Sequence, residues 1–190
     1  MSSKLEETRV DTTLVYEGHF LKVRRDLARL PDGSHGVREY VEHPGAACMV
    51  PIFDDGRVLI ERQFRYPLRQ TFIEFPAGKL DAGERSIDTA RRELLEETGF
   101  TAREWAFLTR IHPTIGFADE VLDLFLCRGL SQARQALDAG EFLELEVVTL
   151  GWLVDEVHAG RVSDVKTQIA IHWLERIVDG KWPWPAFDAA

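Results

Sequence analysis

Glu93, Glu96 and Glu97 stand close enough along the chain to act on a single ion. A helix advances about 100° per residue, so in a helix these three carboxylates fall within an arc of roughly 100°. Ile87, Ala90 and Leu94 form an apolar stripe beside them. That stripe predicts a helix seated on a sheet, with the acids at the rim of its buried face. Like charges so placed repel one another and are costly unless a cation neutralises them. Hard oxygen donors in this arrangement suit Mg²⁺, with Mn²⁺ as a substitute, and leave coordination positions for water and phosphate oxygens.

A solvated helix laced with ion pairs, such as Arg92 with Glu96 at i, i+4, accounts for any lone Glu-Glu pair. It does not account for the spacing around this one. Gly78 is followed after five residues by Glu84; seven more lead to Arg92-Glu93, then an aliphatic residue, any residue, Glu96-Glu97, any residue, Gly99 and the apolar Phe100. The stretch GKLDAGERSIDTARRELLEETGF resembles the Nudix box at every specified position, the signature of hydrolases acting on nucleoside diphosphates linked to another moiety.

The rest of the chain bounds what surrounds this stretch. Its 190 residues suit one domain with a modest extension, and 45% hydrophobic with 29% charged residues is the composition of a soluble globular protein. A net charge of −9 argues against a nucleic-acid partner, so an anionic substrate must be met by bound cations and local arginines. Cys48 and Cys127 sit in apolar runs without metal-type spacing and read as buried reduced thiols. The N-terminus lacks a signal-like hydrophobic region and no apolar run approaches ~18 residues, from which no membrane association and a cytoplasmic location are expected.

Several elements must position the acids. Residues 1–12 read as polar and loose. Leu14–Glu17, Phe20–Leu27 and Gly36–Val41 read as strands of a small antiparallel β unit, with a Pro31-Asp32-Gly33 turn and exposed edges that need cover. Ala46–Phe53 reads as a buried central strand, turned by Asp54-Asp55-Gly56 into Arg57–Gln63 as a hairpin. Thr71–Phe75 leads to Pro76-Ala77-Gly78, and the acidic helix is expected over Ser86–Thr98, N-capped by Ser86 and closed by a left-handed Gly99. Trp105–Ile111 and Val121–Cys127 read as a further antiparallel pair, Ser131–Gly140 as a turn, and Leu143–Leu150 as a half-exposed strand. Helices are expected over Gly151–His158 and Val165–Val178, and Pro183 and Pro185 exclude one in the tail, whose tryptophans read as a strap on the domain or on a partner chain. The sum is an α+β architecture.

From about Leu14 to Glu175 the chain is similar to ADP-ribose pyrophosphatases of the Nudix family, through REYVEHPGA, ERQFRYPLRQTFIEFPAGKLD and the C-terminal VVTLGWLVDEVHAGRVSDVKTQIAIHWLE. The resemblance implies a Nudix fold, a mixed β-sheet sandwiched between α-helices, comprising residues 44–190 after an N-terminal β extension of residues 1–43. It implies a homodimer that shares or exchanges that extension, and Mg²⁺-dependent hydrolysis of the pyrophosphate of ADP-ribose or a similar nucleoside diphosphate sugar to AMP and ribose 5-phosphate. GDP-mannose, ADP-glucose and NADH are alternative substrates, and a non-catalytic nucleotide sensor is the alternative of another class. Carried over by position, Arg38 and Arg65 contact substrate, and the carbonyl of Ala77 joins Glu93 and Glu97 on the metal, with Glu96 in the same shell. Glu141 is the general base or assists the metal, with Glu144 as alternate, and the box glutamates Glu96 and Glu97 share the catalytic role. Glu74 is either a substrate contact or a brace for the box turn, Glu120 reaches the site from its loop, and Glu84 and Arg92 act structurally or electrostatically. One departure concerns specificity: Ile115 stands where ADP-ribose-cleaving relatives often carry proline.

Overall fold

The computed structural model describes residues 4–189. The chain forms two compact units: one holds the residues up to Pro44 together with Thr114–Val121, and the other holds Gly45–Pro113 and the chain from Leu122 onward.

The first unit is a three-stranded antiparallel sheet in the order β1-β2-β3, formed by β1 (Thr8–Glu17), β2 (Lys22–Arg29) and β3 (His35–Glu42). Strand pairing begins at Thr8, so residues 8–12 are ordered where a loose segment was expected; residues 1–3 of that segment lie outside the described residues. The cause is alternation of Val and Thr with charged residues from Thr8 onward, a pattern that suits a pleated strand with one partner. The expected turn is present: Gly33 has φ 85°, and Asp32 accepts from the backbone N–H and the hydroxyl of Ser34. Val10, Leu14, Val15, Tyr16, Leu27 and Val37 are exposed in this sheet. The excursion Thr114–Val121 joins the unit as a short parallel extension. Val41 N–H donates to the Phe117 carbonyl at 2.8 Å, and His43 N–H donates to Asp119 Oδ1 at 2.7 Å.

The second unit carries β4 (Ala46–Ile52), β5 (Val58–Arg65), β6 (Gln70–Glu74), β7 (Ala77–Lys79), α1 (Ser86–Thr98), β8 (Phe100–Ile111), β9 (Leu122–Gln132), β10 (Leu143–Val148), α2 (Leu150–His158), α3 (Val165–Val178) and β11 (Asp188–Ala189). Its mixed sheet runs β10-β5-β4-β9-β8-β11, with β4 and β9 parallel. β4 shows why the sheet is covered on both sides. Ala46, Cys48, Val50 and Ile52 join a core with Leu153 of α2 and Ala170, Ile171, Leu174 and Ile177 of α3, whereas Ala47 and Met49 join a second core with Ala90 and Leu94 of α1. The period of two along one strand therefore feeds two apolar layers, and Ile87, Ala90 and Leu94 seat α1 as expected. Cys48 and Cys127 are free and buried in these layers.

The expected turn and antiparallel pairing of β4 with β5 are present, but the hairpin is short. The two strands meet at one pair, Ile52 with Val58, and then part. β5 continues between β10 and β6, while β4 continues between β9 and β7. β7 takes the place of β5 along Ala46–Cys48, while β9 pairs in parallel with all seven residues at the opposite edge. The tail behaves as a strap on its own unit. Trp182 packs on Trp173 with ring centroids 4.6 Å apart and on His172 at 5.6 Å, and Arg128 lies 3.9 Å over the Phe187 ring. No described helix is long and apolar enough to cross a membrane.

Candidate active site

β7 lies against the middle of the acidic helix, where Gly78 faces Glu93 and the Lys79 carbonyl accepts from Arg92. α1 spans Ser86–Thr98 as the spacing predicts, and Gly99 closes it at φ 69° and ψ 20°, its N–H donating to the Leu95 carbonyl. Ser86 does not cap the helix. Arg85 is the N-cap and makes no side-chain capping bond, and the Ser86 hydroxyl donates to Asp123 on β9 at 2.7 Å. The C-terminal carbonyls of α1 are met by the segment after β9, read from the sequence only as a turn. Ala136 N–H donates to the Glu96 carbonyl at 3.0 Å and Gln135 Nε2 to the Glu97 carbonyl at 2.6 Å.

Arg92 organises the exposed side of the helix. Its guanidinium donates to Glu84, Glu93 and Glu96 and to the Lys79 carbonyl, at 2.8 to 3.2 Å. Glu84 in turn accepts from the Asp81 N–H and the Thr89 hydroxyl. Hydrogen bonds from Arg92 dominate the shift that holds Glu84 down at about 2. The segment from Gly78 to Glu84 thereby becomes a loop pinned to one arginine. Gly78 has its own reason: a Cβ built there would stand 1.9 Å from Glu93 Cδ, so the Glu93 carboxyl occupies the space a side chain would need.

Behind this shell the carboxylates turn inward. Glu97 is 4% exposed and its Oε2 has no hydrogen-bond partner. Burial, followed by the charges of Glu61, Glu93 and Glu141, pushes its carboxyl up to about 10. Burial likewise raises Glu93. Glu141 accepts from Asp138 N–H at 3.3 Å and lies 3.5 Å from Gln63 Nε2, and its charge acts on Glu61, Glu93 and Glu97. Glu144, the alternate, is exposed on β10 opposite Arg62.

Two residues of this site are absent from the sequence reading. Glu61 on β5 is fully buried, and neither of its carboxylate oxygens has a hydrogen-bond partner. Lys166, in the first turn of α3, is 8% exposed and pairs with Glu74 and with Asp164. The available signal for Glu61 is a carboxylate directly following the fully buried Val58-Leu59-Ile60. Glu74 sits across from Glu61 in the β5–β6 register and accepts from Arg65 Nε and Nη2, both at 2.8 Å. Burial pushes Glu74 up, but the Arg65 hydrogen bond and the Lys166 charge outweigh it and hold the carboxyl below its ordinary value. Ala77 lies on β7 opposite Cys48.

The second unit thus assembles Arg65, Glu74, Ala77, Glu93, Glu96, Glu97 and Glu141. Arg38 and Glu120 belong to the first unit. There Arg38 forks onto Glu7 at 2.6 and 2.8 Å, and Glu120 accepts from the Thr114 hydroxyl at 3.3 Å with His43 Nε2 3.8 Å away. Among the described residues, no three acidic, histidine or cysteine side chains already converge on one point at ligand distance. The residues nevertheless fit a divalent cation. Partnerless buried oxygens on Glu61 and Glu97 and the space held open by Gly78 for Glu93 supply hard anionic donors. Magnesium-type sites commonly take only one or two carboxylates and complete their shell with water and phosphate.

Comparison with known proteins agrees with this geometry. A NUDIX domain model matches residues 42–167, and a model of the nucleoside diphosphate sugar hydrolase N-terminal domain matches residues 7–41. The chain belongs to the Nudix family of hydrolases, whose members generally use divalent metal ions. The ADP-ribose pyrophosphatase of Bacillus subtilis (strain 168) is 39% identical over 173 residues, 90% of this chain and 94% of its own. The methanol dehydrogenase activator of Bacillus methanolicus is 36% identical over 177 residues, 92% of this chain and 96% of its own. A crystal structure of an ADP compounds hydrolase superposes with a TM-score of 0.82 at 21% identity, over 95% of this chain and 98% of that one, a likeness of fold.

Proposed function

We propose that this protein is an Mg²⁺-dependent pyrophosphatase that hydrolyses ADP-ribose, or a similar nucleoside diphosphate sugar, to AMP and ribose 5-phosphate. The observation that carries the reading is Glu97, buried in a patch of carboxylates with one oxygen unpartnered, at the inner end of a complete Nudix box. The similarity to an ADP-ribose pyrophosphatase supports the choice of substrate. Glu93, Glu97 and the Ala77 carbonyl hold Mg²⁺, for which Mn²⁺ substitutes, with Glu96 in the same shell. A cation held there would offset charge on the phosphates and lower the pKa of a water bound to it. Glu141 orients or deprotonates the attacking water, whose oxygen joins one phosphorus as the bridging P–O bond breaks. Arg65 and Arg38 supply cationic contacts to the anionic substrate. The chain works as a cytoplasmic homodimer in which residues 1–43 cover one another's exposed apolar surface, consistent with Val10, Val15, Tyr16 and Val37 lying open in the first unit.

A second reading keeps the chemistry and changes the sugar or nucleotide. Ile115 favours it, since this 84% exposed side chain takes the place of the proline common in ADP-ribose-cleaving relatives. The test is a panel of ADP-ribose, ADP-glucose, GDP-mannose and NADH at equal concentration, with and without Mg²⁺, with products resolved chromatographically. The highest kcat/KM is expected for ADP-ribose, with AMP as product only when Mg²⁺ is present. A higher value for another substrate selects the second reading, and no Mg²⁺-dependent product from any of them rejects both.

A further inference from the structure

We propose that Glu61, which lies outside the Nudix box, is an additional oxygen donor to the divalent cation of this site. The inference rests on the metal-dependent reading above. Three observations support it. Glu61 is fully buried with both carboxylate oxygens free of hydrogen bonds, which is expensive for a group whose only purpose is structural. The nearby cations bond elsewhere: Arg65 forks onto Glu74, and Lys166 donates to Glu74 and Asp164. Among the neighbouring charges that act on Glu97, that of Glu61 is the largest, ahead of the box residue Glu93 and of Glu141.

The strand register explains how a residue so far from the box arrives there. β5 is paired on one side with β10, where Leu145 faces Glu61, and on the other with β6, where Glu74 faces it. The position is thus fixed by two ladders rather than by a loop. Glu74 is already satisfied, so Glu61 is the carboxylate of this pair left to a ligand. A cation there removes the like-charge cost that Glu61, Glu97 and Glu141 otherwise share, and it does so from a rigid strand rather than a mobile side chain on the surface.

The test uses the full chain and Mn²⁺ alone, without substrate. Two variants are made: Glu61→Gln, which keeps shape, and Glu61→Leu, which suits the apolar run preceding it. Mn²⁺ affinity is read by electron paramagnetic resonance, and the number of waters on bound Mn²⁺ by proton relaxation. Both variants are expected to bind at least tenfold more weakly than the parent, and Glu61→Leu to show one more water on the ion, with folding intact by circular dichroism. Affinity within twofold of the parent in whichever variant folds overturns the proposal, as does an unchanged water count in Glu61→Leu. The parent's activity on ADP-ribose is scored separately. Weakened Mn²⁺ binding in the variants alongside an inactive parent upholds the donor and rejects the substrate. Unchanged binding alongside an active parent does the reverse.

Discussion

Arg65 holds both carboxylate oxygens of Glu74 in a parallel fork, 2.8 Å at each, while Lys166 approaches the same carboxylate from α3. The fork is open to solvent on the arginine side, where 40% of the side chain is exposed, and closed on the glutamate side, where 3% is. One anion therefore orients a solvent-facing cation and neutralises a buried one. Both Glu74 oxygens are thus engaged by protein cations, an arrangement that favours a bracing role.

This division separates two mutants. Glu74→Gln leaves Lys166 buried with a weakened partner and should cost about 3 kcal/mol in urea unfolding. Arg65→Lys keeps the charge and loses the fork, so stability should move by less than about 1 kcal/mol while KM rises about tenfold. Equal destabilisation by both substitutions contradicts the assignment.

Gly78→Ala tests the space beside the helix. The built Cβ meets the far end of a side chain, Glu93 Cδ at 1.9 Å, and Glu93 can swing away. The stability loss should stay under about 1 kcal/mol, since only a rotamer shifts. Displacing that carboxylate should lower kcat about a hundredfold, a penalty comparable to small misplacements of other catalytic groups. Steady-state kinetics beside a thermal melt distinguishes this from simple unfolding.

The Glu84–Arg92 clasp predicts a pH dependence. The folded-state carboxyl of Glu84, at about 2, lies below the ordinary value of 4.5. Its contribution to stability is therefore present above about 4.5 and lost as pH falls through about 2. Discounted for partial solvent screening, Glu84→Gln should lower stability by about 1 kcal/mol at pH 7 and leave it nearly unchanged at pH 2. Denaturant midpoints at the two pH values measure the difference.

Divalent ions should stabilise the folded chain, because they bind it and not the unfolded one. A melt in 5 mM chelator is expected to lie below one with excess Mn²⁺ by several degrees, about the shift for 100-fold saturation of a single site in a chain this size. Glu97→Gln should flatten that response without lowering the chelator value, since it removes a buried charge that burial and like charges already disfavour. A variant that keeps the full Mn²⁺ shift removes Glu97 from the ligand set.

The helix and its closing glycine were legible because their signals are local: a stripe at i, i+3 and i+7, and a left-handed stop at Gly99. The alternation that buries β4 on both faces was likewise visible as a continuous apolar run. What escaped the sequence depends on distant partners. Ser86 looks like a cap until Asp123, far along the chain, claims its hydroxyl. Arg57–Gln63 reads as an apolar-rich strand with charged ends, and only the flanking β6 and β10 enclose Glu61. Lys166 reads as an ordinary helical lysine until Glu74 and Asp164 are folded against it. The early departure of β5 from β4, with β7 taking its place at that edge, carries no local mark, so the hairpin reads from the sequence as longer than it is.

The return of Thr114–Val121 to the first unit has a consequence for how such proteins can be recombined. Severing the chain at Pro44 would part the Val41 strand end from its hydrogen-bonded companion, which would stay behind in the middle of the remaining polypeptide. An N-terminal sheet borrowed from a relative would arrive without the loop it was fitted to. Grafts between family members should therefore carry the two segments as one inheritance, and chimaeras that exchange the sheet alone should express poorly beside those that exchange both.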